Sequence, residues 1–172
     1  LHTFIVAHVI AILFGLVVWI GGLLFFGAVL APVAFGYVMP MVPDPALGLH
    51  IAGTMVRISL LRLHDIGLVC GVGLLLLCIL ERATRATRRT IVPQLALLAV
   101  MLGLTAYSQY SVIPRMESLR IQAGTAMGNP ASTNTAKADF DRLHGVTTRL
   151  EEVVLLCGLG LLVLYARPEP AG

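Results

Sequence analysis

The first 43 residues contain no aspartate, glutamate, lysine or arginine, and this charge-free run constrains the fold more than any other feature. A helix that crosses the hydrocarbon core of a bilayer needs about 20 apolar residues. Four apolar stretches approach or meet that length, at about residues 5–30, 63–80, 91–113 and 150–166. The charged fraction, 12%, is half of the ~25% of a soluble domain. We therefore predict an integral membrane protein with four spans in one domain, residues 1–172.

The predicted fold class is all-α, a four-helix transmembrane bundle, because helices satisfy their own backbone polar groups in lipid. Asp44 followed by Pro45 is typical of a helix start, with a capping carboxylate before a proline in the first turn. The second helix is therefore predicted to run from near Pro45 to near Arg82. The polar lead "FDRLHGVTTRLEE" similarly lengthens the fourth helix. Helices 2 and 4 are expected to extend into an extramembrane cap.

The short link between the second and third spans contains a dense group of arginines: Arg82, Arg85, Arg88 and Arg89. Such arginines mark the cytoplasmic side of a membrane, and they can also contact anionic lipid headgroups. Both termini are then expected in the cytoplasm, with the chain in a bacterial inner membrane. The first apolar stretch is expected to stay in the protein, because it is too long for a signal-peptide core and follows no basic region.

Small residues recur at helical spacing in three of the spans, as they do where membrane helices pack closely. They are Ala11, Gly15 and Gly22 on one stripe of the first span, Gly27 and Ala31 on another, Gly67 and Gly71 in the second span, and Ala99 and Gly103 in the third. We expect these stripes to bring helices together within the chain or with a partner chain. Pro32 is expected to end or kink the first helix.

Few ionisable residues lie in or beside the spans, and those that do are candidates for function. His64 and Asp65 open the second span, whereas His144 and Glu151 share one face of the fourth helix. Together they could bind a borderline divalent metal ion or pass a proton. Alternatively, His8, His64 and His144 could be axial ligands of a haem or chlorin, because neutral imidazole ligates metals well.

The competing interpretation of the same region is an interfacial ion-pair network that fixes the cap. Its members would be Arg62, Asp65, Arg115, Arg142 and Glu151. Charged residues at a membrane interface serve this structural role more often than they bind a metal, so we favour it. For His8, we likewise favour a histidine near the interface that is hydrogen-bonded to a neighbour.

Three segments resemble the transmembrane protein 205-like family. They are "WIGGLLFFGAVLAPVAF" in the first span, "VIPRMESLR" after the third span and "FDRLHGVTT" before the fourth. The chain resembles, more distantly, the helical copper-resistance membrane proteins. The resemblance implies four membrane helices and assigns no catalytic residue.

The sequence contains no phosphate-binding loop, no His-Glu-x-x-His and no nucleophile elbow, so we do not expect an enzyme. A net charge of +3 gives no reason to expect a nucleic-acid partner. We favour a non-enzymatic accessory or scaffold subunit that packs, among membrane lipids, against other membrane subunits or a second copy. The alternatives are a small metal- or drug-resistance transporter and a carrier of histidine-ligated haem or (bacterio)chlorophyll in an electron-transfer or photosynthetic complex. The cofactor, if any, is unknown.

Overall fold

The computed structural model describes residues 2–84, 91–129 and 131–166, with side chains from residue 9 to residue 80 in the first range. Helix α1 begins with His2–Phe25 and continues through Phe26–Leu30, Ala31–Val33, Ala34–Val38 and Met39–Met41. Helix α2 is Pro45–Thr84. Helix α3 comprises Ile91–Tyr107, Ser108–Val112 and Ile113–Ala123, and a 3₁₀ turn, Gly124–Gly128, follows it. Helix α4 is Thr135–Ala166. The described ranges contain no strand.

Three helical segments are long and apolar enough to cross a membrane: Val9–Met41, Pro45–Leu80 and Ile91–Gly128. The chain is therefore an integral membrane protein. The fourth predicted stretch, about residues 150–166, lies within α4. It is not among the three segments, because the 18 residues that end at Ala166 contain three charged residues, Arg149, Glu151 and Glu152.

Wider, π-helical turns accommodate three prolines in α1 and α3 without ending either helix. The residue before each of three prolines donates its backbone N–H to a carbonyl five residues earlier, in the pairs Ala31 to Phe26, Met39 to Ala34, and Ile113 to Ser108. A proline ring clashes with the carbonyl four residues earlier, and a π-helical turn relieves that clash. The expectation that Pro32 could end the first helix is therefore wrong, because α1 continues to Met41.

Asp44 caps the long helix α2. Its Oδ1 accepts a hydrogen bond from the backbone N–H of Ala46 at 2.9 Å, and its carbonyl accepts one from Gly48 at 2.8 Å. Because these bonds satisfy the first free amides of the helix, α2 begins at Pro45. Its predicted start and length are confirmed. At the start of α4, Asn134 Oδ1 similarly accepts the N–H of Lys137 at 3.0 Å.

The centre of the fold is the indole of Trp19, which is fully buried. Helix α1 packs on α2 and α4, and α3 packs on the same two helices. The indole lies in the groove that Gly67 and Gly71 leave on α2, and a Cβ at Gly71 would stand 2.6 Å from its Cζ3 atom. The Gly-x-x-x-Gly motif was expected to let helix backbones approach. Instead, it receives side chains, because the indole and Leu102 fill the groove.

The remaining small residues divide into two groups. Gly15 packs against Leu74 and Gly22 against Leu63, so this stripe of α1 contacts α2. Gly158 on α4, which the sequence did not single out, packs against Ile20, 2.7 Å from the position of a Cβ. Ala11 and Ala99 are exposed, Ala31 is half-buried, and a Cβ at Gly27 or Gly103 would meet no described atom within 4 Å. The second group makes no close helix contact within the described chain.

Replacement of Gly71 by leucine should destabilise the protein, because the added atoms overlap the indole of Trp19. Overpacking of this kind costs about 1–3 kcal/mol. The matched control is Gly73→Leu on the same helix, where a Cβ has open space. Thermal unfolding of the purified protein should show a lower midpoint for Gly71→Leu only. Equal midpoints for both variants would show that the indole is not seated in this groove.

Candidate functional site

A hydrogen-bonded network of polar side chains joins α2, α3 and α4, with a buried centre and Asp65 exposed at its edge. His64 and Asp65 come from α2, Ser108 and Gln109 from α3, and Glu151 from α4. His64 and Ser108 are fully buried, and Gln109 is nearly so. Ionisable and polar groups at such depth are costly unless they are paired, and they mark candidate functional sites in membrane proteins.

His64 lies at the centre of this network and uses both of its ring nitrogens. Nδ1 lies 3.2 Å from Oε1 of Gln109, and Nε2 lies 2.8 Å from Oε1 of Glu151. The side chain of Glu151 is 17% exposed, whereas that of His64 is 1% exposed. One imidazole therefore connects three helices, and the contact with Glu151 is the short one.

The wider turn in α3 supplies two neighbouring residues to the network. Ser108 and Gln109 are consecutive in the chain, yet both are buried. Both lie in the π-helical segment Ser108–Val112, whose wider turn sets consecutive side chains at a smaller angle than in an α-helix. Ser108 Oγ donates to Glu151 Oε1 at 3.3 Å, and Gln109 Nε2 donates to Asp65 Oδ1 at 2.9 Å.

These partners limit the possible positions of the protons. Because the amide nitrogen of Gln109 donates to Asp65, its oxygen faces His64 Nδ1, which must then carry a proton. The short contact between His64 Nε2 and Glu151 Oε1 then holds one shared proton. Either an imidazolium faces a carboxylate, or a neutral imidazole faces a protonated Glu151. Both states carry no net charge, which suits an apolar interior.

A cavity of about 780 Å³ adjoins Glu151 and lies between α1, α2, α3 and the first half of α4. Oε2 of Glu151 is buried and has no hydrogen-bond partner among the described residues. Gly27 and Ala31 line the same cavity. The second small-residue stripe of α1 therefore faces open space within the fold, and not a neighbouring helix.

A second polar cluster lines the cavity nearer the Pro45 end of α2. Arg120 donates two hydrogen bonds of 2.8 Å to the two oxygens of Glu117, and its third nitrogen lies 2.8 Å from Nδ1 of His50. Arg57 Nε lies 3.5 Å from Glu117 Oε2. The sequence does not predict this cluster. The spacing of Glu117 and Arg120 by three residues signals their pairing, but nothing in the sequence brings Arg57 to them.

The structure brings together only part of the predicted metal or proton site. His64, Asp65 and Glu151 belong to one network, whereas His144 is exposed and stacks on Phe140 with ring centroids 6.2 Å apart. His144 lines the cavity and forms no hydrogen bond with the network among the described residues. Within the described ranges, no three His, Cys, Asp or Glu side chains form a group that could hold a metal ion.

The predicted interfacial ion pairs are partly present. Arg62 lies 3.8 Å from Asp65. Arg142 pairs with Asp139 at 3.5 Å within α4, and so it does not join Asp65 or Glu151. The carbonyl of Arg115 accepts a hydrogen bond from Ser118. Among the described residues, the helices are thus joined mainly by the hydrogen bonds of His64 and Gln109, and arginines contribute less to the network.

Several predicted residues lie outside the described part of the chain. The side chains of His8 and Arg82 are among them, although both residues belong to helices. Arg85, Arg88 and Arg89 lie in the undescribed link between α2 and α3. The haem-ligand role of His8 and the lipid-contact role of these arginines stay predictions.

Loss of the Glu151 side chain should destabilise the protein, because Nε2 of His64 is then buried without a partner. An unsatisfied buried group of this kind costs about 1–3 kcal/mol. Glu151→Gln should cost much less than Glu151→Ala, because its amide can donate to neutral His64. The neighbouring Glu152 is exposed, so Glu152→Ala is the matched control. Thermal unfolding midpoints measure the three variants, and equal loss for Glu151→Ala and Glu152→Ala would contradict the network.

Comparison with known proteins gives one match. The model of a family described as "Domain of unknown function (DUF4149)" matches residues 14–125, more than half of the chain. The chain therefore belongs to this family. No curated protein and no solved structure matches it significantly. The matched range includes the Trp19 groove, His64, Asp65, Ser108 and Gln109, whereas Glu151 lies beyond it.

Proposed function

We propose that this member of the DUF4149 family is a non-enzymatic subunit of a larger membrane assembly, built as a four-helix transmembrane bundle. In this proposal α4 is the fourth span, and the shared proton of His64 and Glu151 lowers the cost of placing a carboxyl group in the membrane. The Pro45 end of α2 and the Thr135 end of α4 form the extramembrane cap. The ion pair of Lys137 and Asp141, 2.6 Å apart, stabilises the first turns of α4.

The observation that carries the proposal is a stripe of small residues on the outward face of α3. Ala96, Ala99 and Gly103 are all exposed, and they follow one another at spacings of three and four residues. Val92 and Tyr107 continue the stripe at either end, and both are exposed. Other faces of α3 pack on α2 and α4. The stripe is thus a shallow groove that suits close approach of a helix from another chain.

The orientation follows from the arginine-rich link. We infer that the link between α2 and α3 faces the cytoplasm of a bacterial inner membrane and that both termini lie on the same side. The support is the composition of the link in the sequence, with Arg82, Arg85, Arg88 and Arg89.

A phosphatase reporter that works only outside the cytoplasm should be inactive when it is fused to the C-terminus. An active fusion would show that the orientation is the opposite one.

The other hypotheses stay predictions, since no observation among the described residues favours them. A metal- or drug-resistance transporter would need a polar path, and His64 is already bonded on both ring nitrogens. For the same reason, a haem or chlorin would have to displace Gln109 or Glu151 from His64. The resemblance to the transmembrane protein 205-like family also stays a prediction, as does its extension to copper-resistance proteins.

Gly103→Leu should abolish association with the partner helix and leave membrane insertion unchanged. The leucine fills the groove and keeps the helices apart, whereas no atom of the described residues is close enough to clash. The matched control is Gly21→Leu in α1, which also has open space but stands between the large residues Val17 and Leu24. The measurement is disulfide cross-linking of an Ala96→Cys variant in native membranes, followed by identification of the cross-linked chain.

Cross-linked homodimers would identify a second copy as the partner, and a product with a different chain would identify a heteromeric assembly. Either product should disappear with Gly103→Leu and persist with Gly21→Leu. A chain that forms no cross-link and remains monomeric in membranes would contradict the proposal.

A further inference from the structure

We propose that the cavity is a binding site for a single-chain anionic amphiphile, a long-chain fatty acid carboxylate, with its head group at Arg57 and its alkyl chain along the apolar wall. This inference goes beyond the proposed function and rests on a different part of the molecule. It depends on charge, unmet hydrogen-bonding capacity and volume at one cavity, and not on the outward stripe of α3.

The head-group end of the cavity has more positive charge than negative. Arg57, Arg120 and Glu117 all line it, which gives two guanidinium groups and one carboxylate. Arg120 occupies both oxygens of Glu117 with 2.8 Å hydrogen bonds. This bidentate pair is the strong arrangement, so the charge of Glu117 is largely neutralised by Arg120. Arg57 lies 3.5 Å from the same carboxylate and shares it with Arg120, so the three groups together carry one net positive charge.

Arg57 also has an unmet hydrogen bond. Its Nε is buried and has no hydrogen-bond partner among the described residues, because the nearest oxygen of Glu117 is 3.5 Å away. A buried donor atom without an acceptor is costly, even though the Arg57 side chain as a whole is 33% exposed. A carboxylate in the cavity would accept from this nitrogen and supply the missing negative charge. Carboxylates and guanidinium groups also match in planar geometry.

The rest of the cavity suits an alkyl chain. Leu23, Leu60, Ile113 and Leu155 line it, and all four lie nearer the middle of their helices than Arg57 or Arg120. Its volume of about 780 Å³ is within the ~300–1,000 Å³ of ligand pockets. The cavity therefore has room for one chain, with the charged head toward the Pro45 end of α2.

The other ionisable residues of the wall do not oppose this orientation. They are His144, Glu151 and Glu152. Oε1 of Glu151 lies 2.8 Å from Nε2 of His64, so this carboxyl group already has a partner within the protein. His144 and Glu152 are exposed, and their charges are solvated or lie at the cavity edge. Arg57 thus remains the charged group for which a ligand carboxylate would supply a hydrogen-bond acceptor.

The test is native mass spectrometry of the purified full chain with oleate and with oleyl alcohol. The two probes share an alkyl chain and differ in the charged head. We expect one oleate per chain and at least about tenfold weaker binding of the alcohol, the factor that corresponds to ~1.4 kcal/mol. Equal binding of both probes would overturn the assignment of the head group to Arg57. Tighter binding of diacyl phosphatidylglycerol than of oleate would overturn the single-chain ligand.

Four variants locate the site. Gly53 lines the cavity and a Cβ there meets open space, so Gly53→Leu should fill the cavity and abolish oleate binding without a clash. Gly73→Leu, on the same helix and equally free of clashes, should bind normally. Arg57→Gln should weaken oleate binding about tenfold or more, and Arg57→Lys should restore most of it.

The control for charge is Arg62→Gln, because the Arg62 side chain is 80% exposed and does not line the cavity. Its oleate binding should equal that of the wild type. Unchanged binding by Gly53→Leu, or an equal loss in Arg57→Gln and Arg62→Gln, would overturn the proposal. Circular dichroism of each variant separates a lost site from a lost fold.

Discussion

The hydrogen bond between Nε2 of His64 and Oε1 of Glu151 is the interaction on which the arrangement of α2, α3 and α4 depends. Within lipid there is little hydrophobic drive to bring helices together, so packing and interhelical hydrogen bonds must do so. A single such bond contributes only ~0.6 kcal/mol on average in a membrane protein. Here the imidazole also forms a hydrogen bond with Gln109, and Ser108 donates one to Glu151. Several hydrogen bonds therefore depend on the contact between His64 and Glu151.

Close packing of side chains also holds the helices together. The Trp19 indole fills the groove of Gly67 and Gly71, so α1 is held against the same helix that carries His64. The fold then leaves two features unfilled, the outward stripe of α3 and the cavity beside Glu151. The first supports the proposed assembly role, and the second the proposed amphiphile site. At both places small residues stand where no side chain of the described ranges reaches.

Local signals in the sequence were enough to predict the helices. The charge-free run and the other apolar stretches predict long membrane helices, and Asp44 with Pro45 predicts the start of α2. The end of α1 was not predictable in this way, because Pro32 is accommodated by a hydrogen bond from Ala31 to a carbonyl five residues earlier. No periodicity of residue types shows whether a helix will widen in that way or stop.

The sequence was enough to identify the ionisable residues of the site, but it did not reveal how they are arranged in space. His64, Asp65 and Glu151 attract notice because ionisable residues are rare in apolar stretches. The burial of both Ser108 and Gln109 depends on the π-helical turn, and the seat of Trp19 depends on contacts between distant helices. His144 shares a helical face with Glu151, but it stacks on Phe140 and remains exposed. Spacing along one helix cannot reveal the neighbour across the interface.

A double-mutant cycle tests most directly whether His64 and Glu151 hold the helices together. The free energy of unfolding would be measured in bicelles for His64→Ala, Glu151→Ala and the double variant, with Glu152→Ala in a parallel cycle. A direct bond predicts that the double variant loses less stability than the sum of the single losses, by about 0.5–3 kcal/mol. The parallel cycle should be additive. Additive losses for His64 and Glu151 would contradict the bond and the packing of α4 that depends on it.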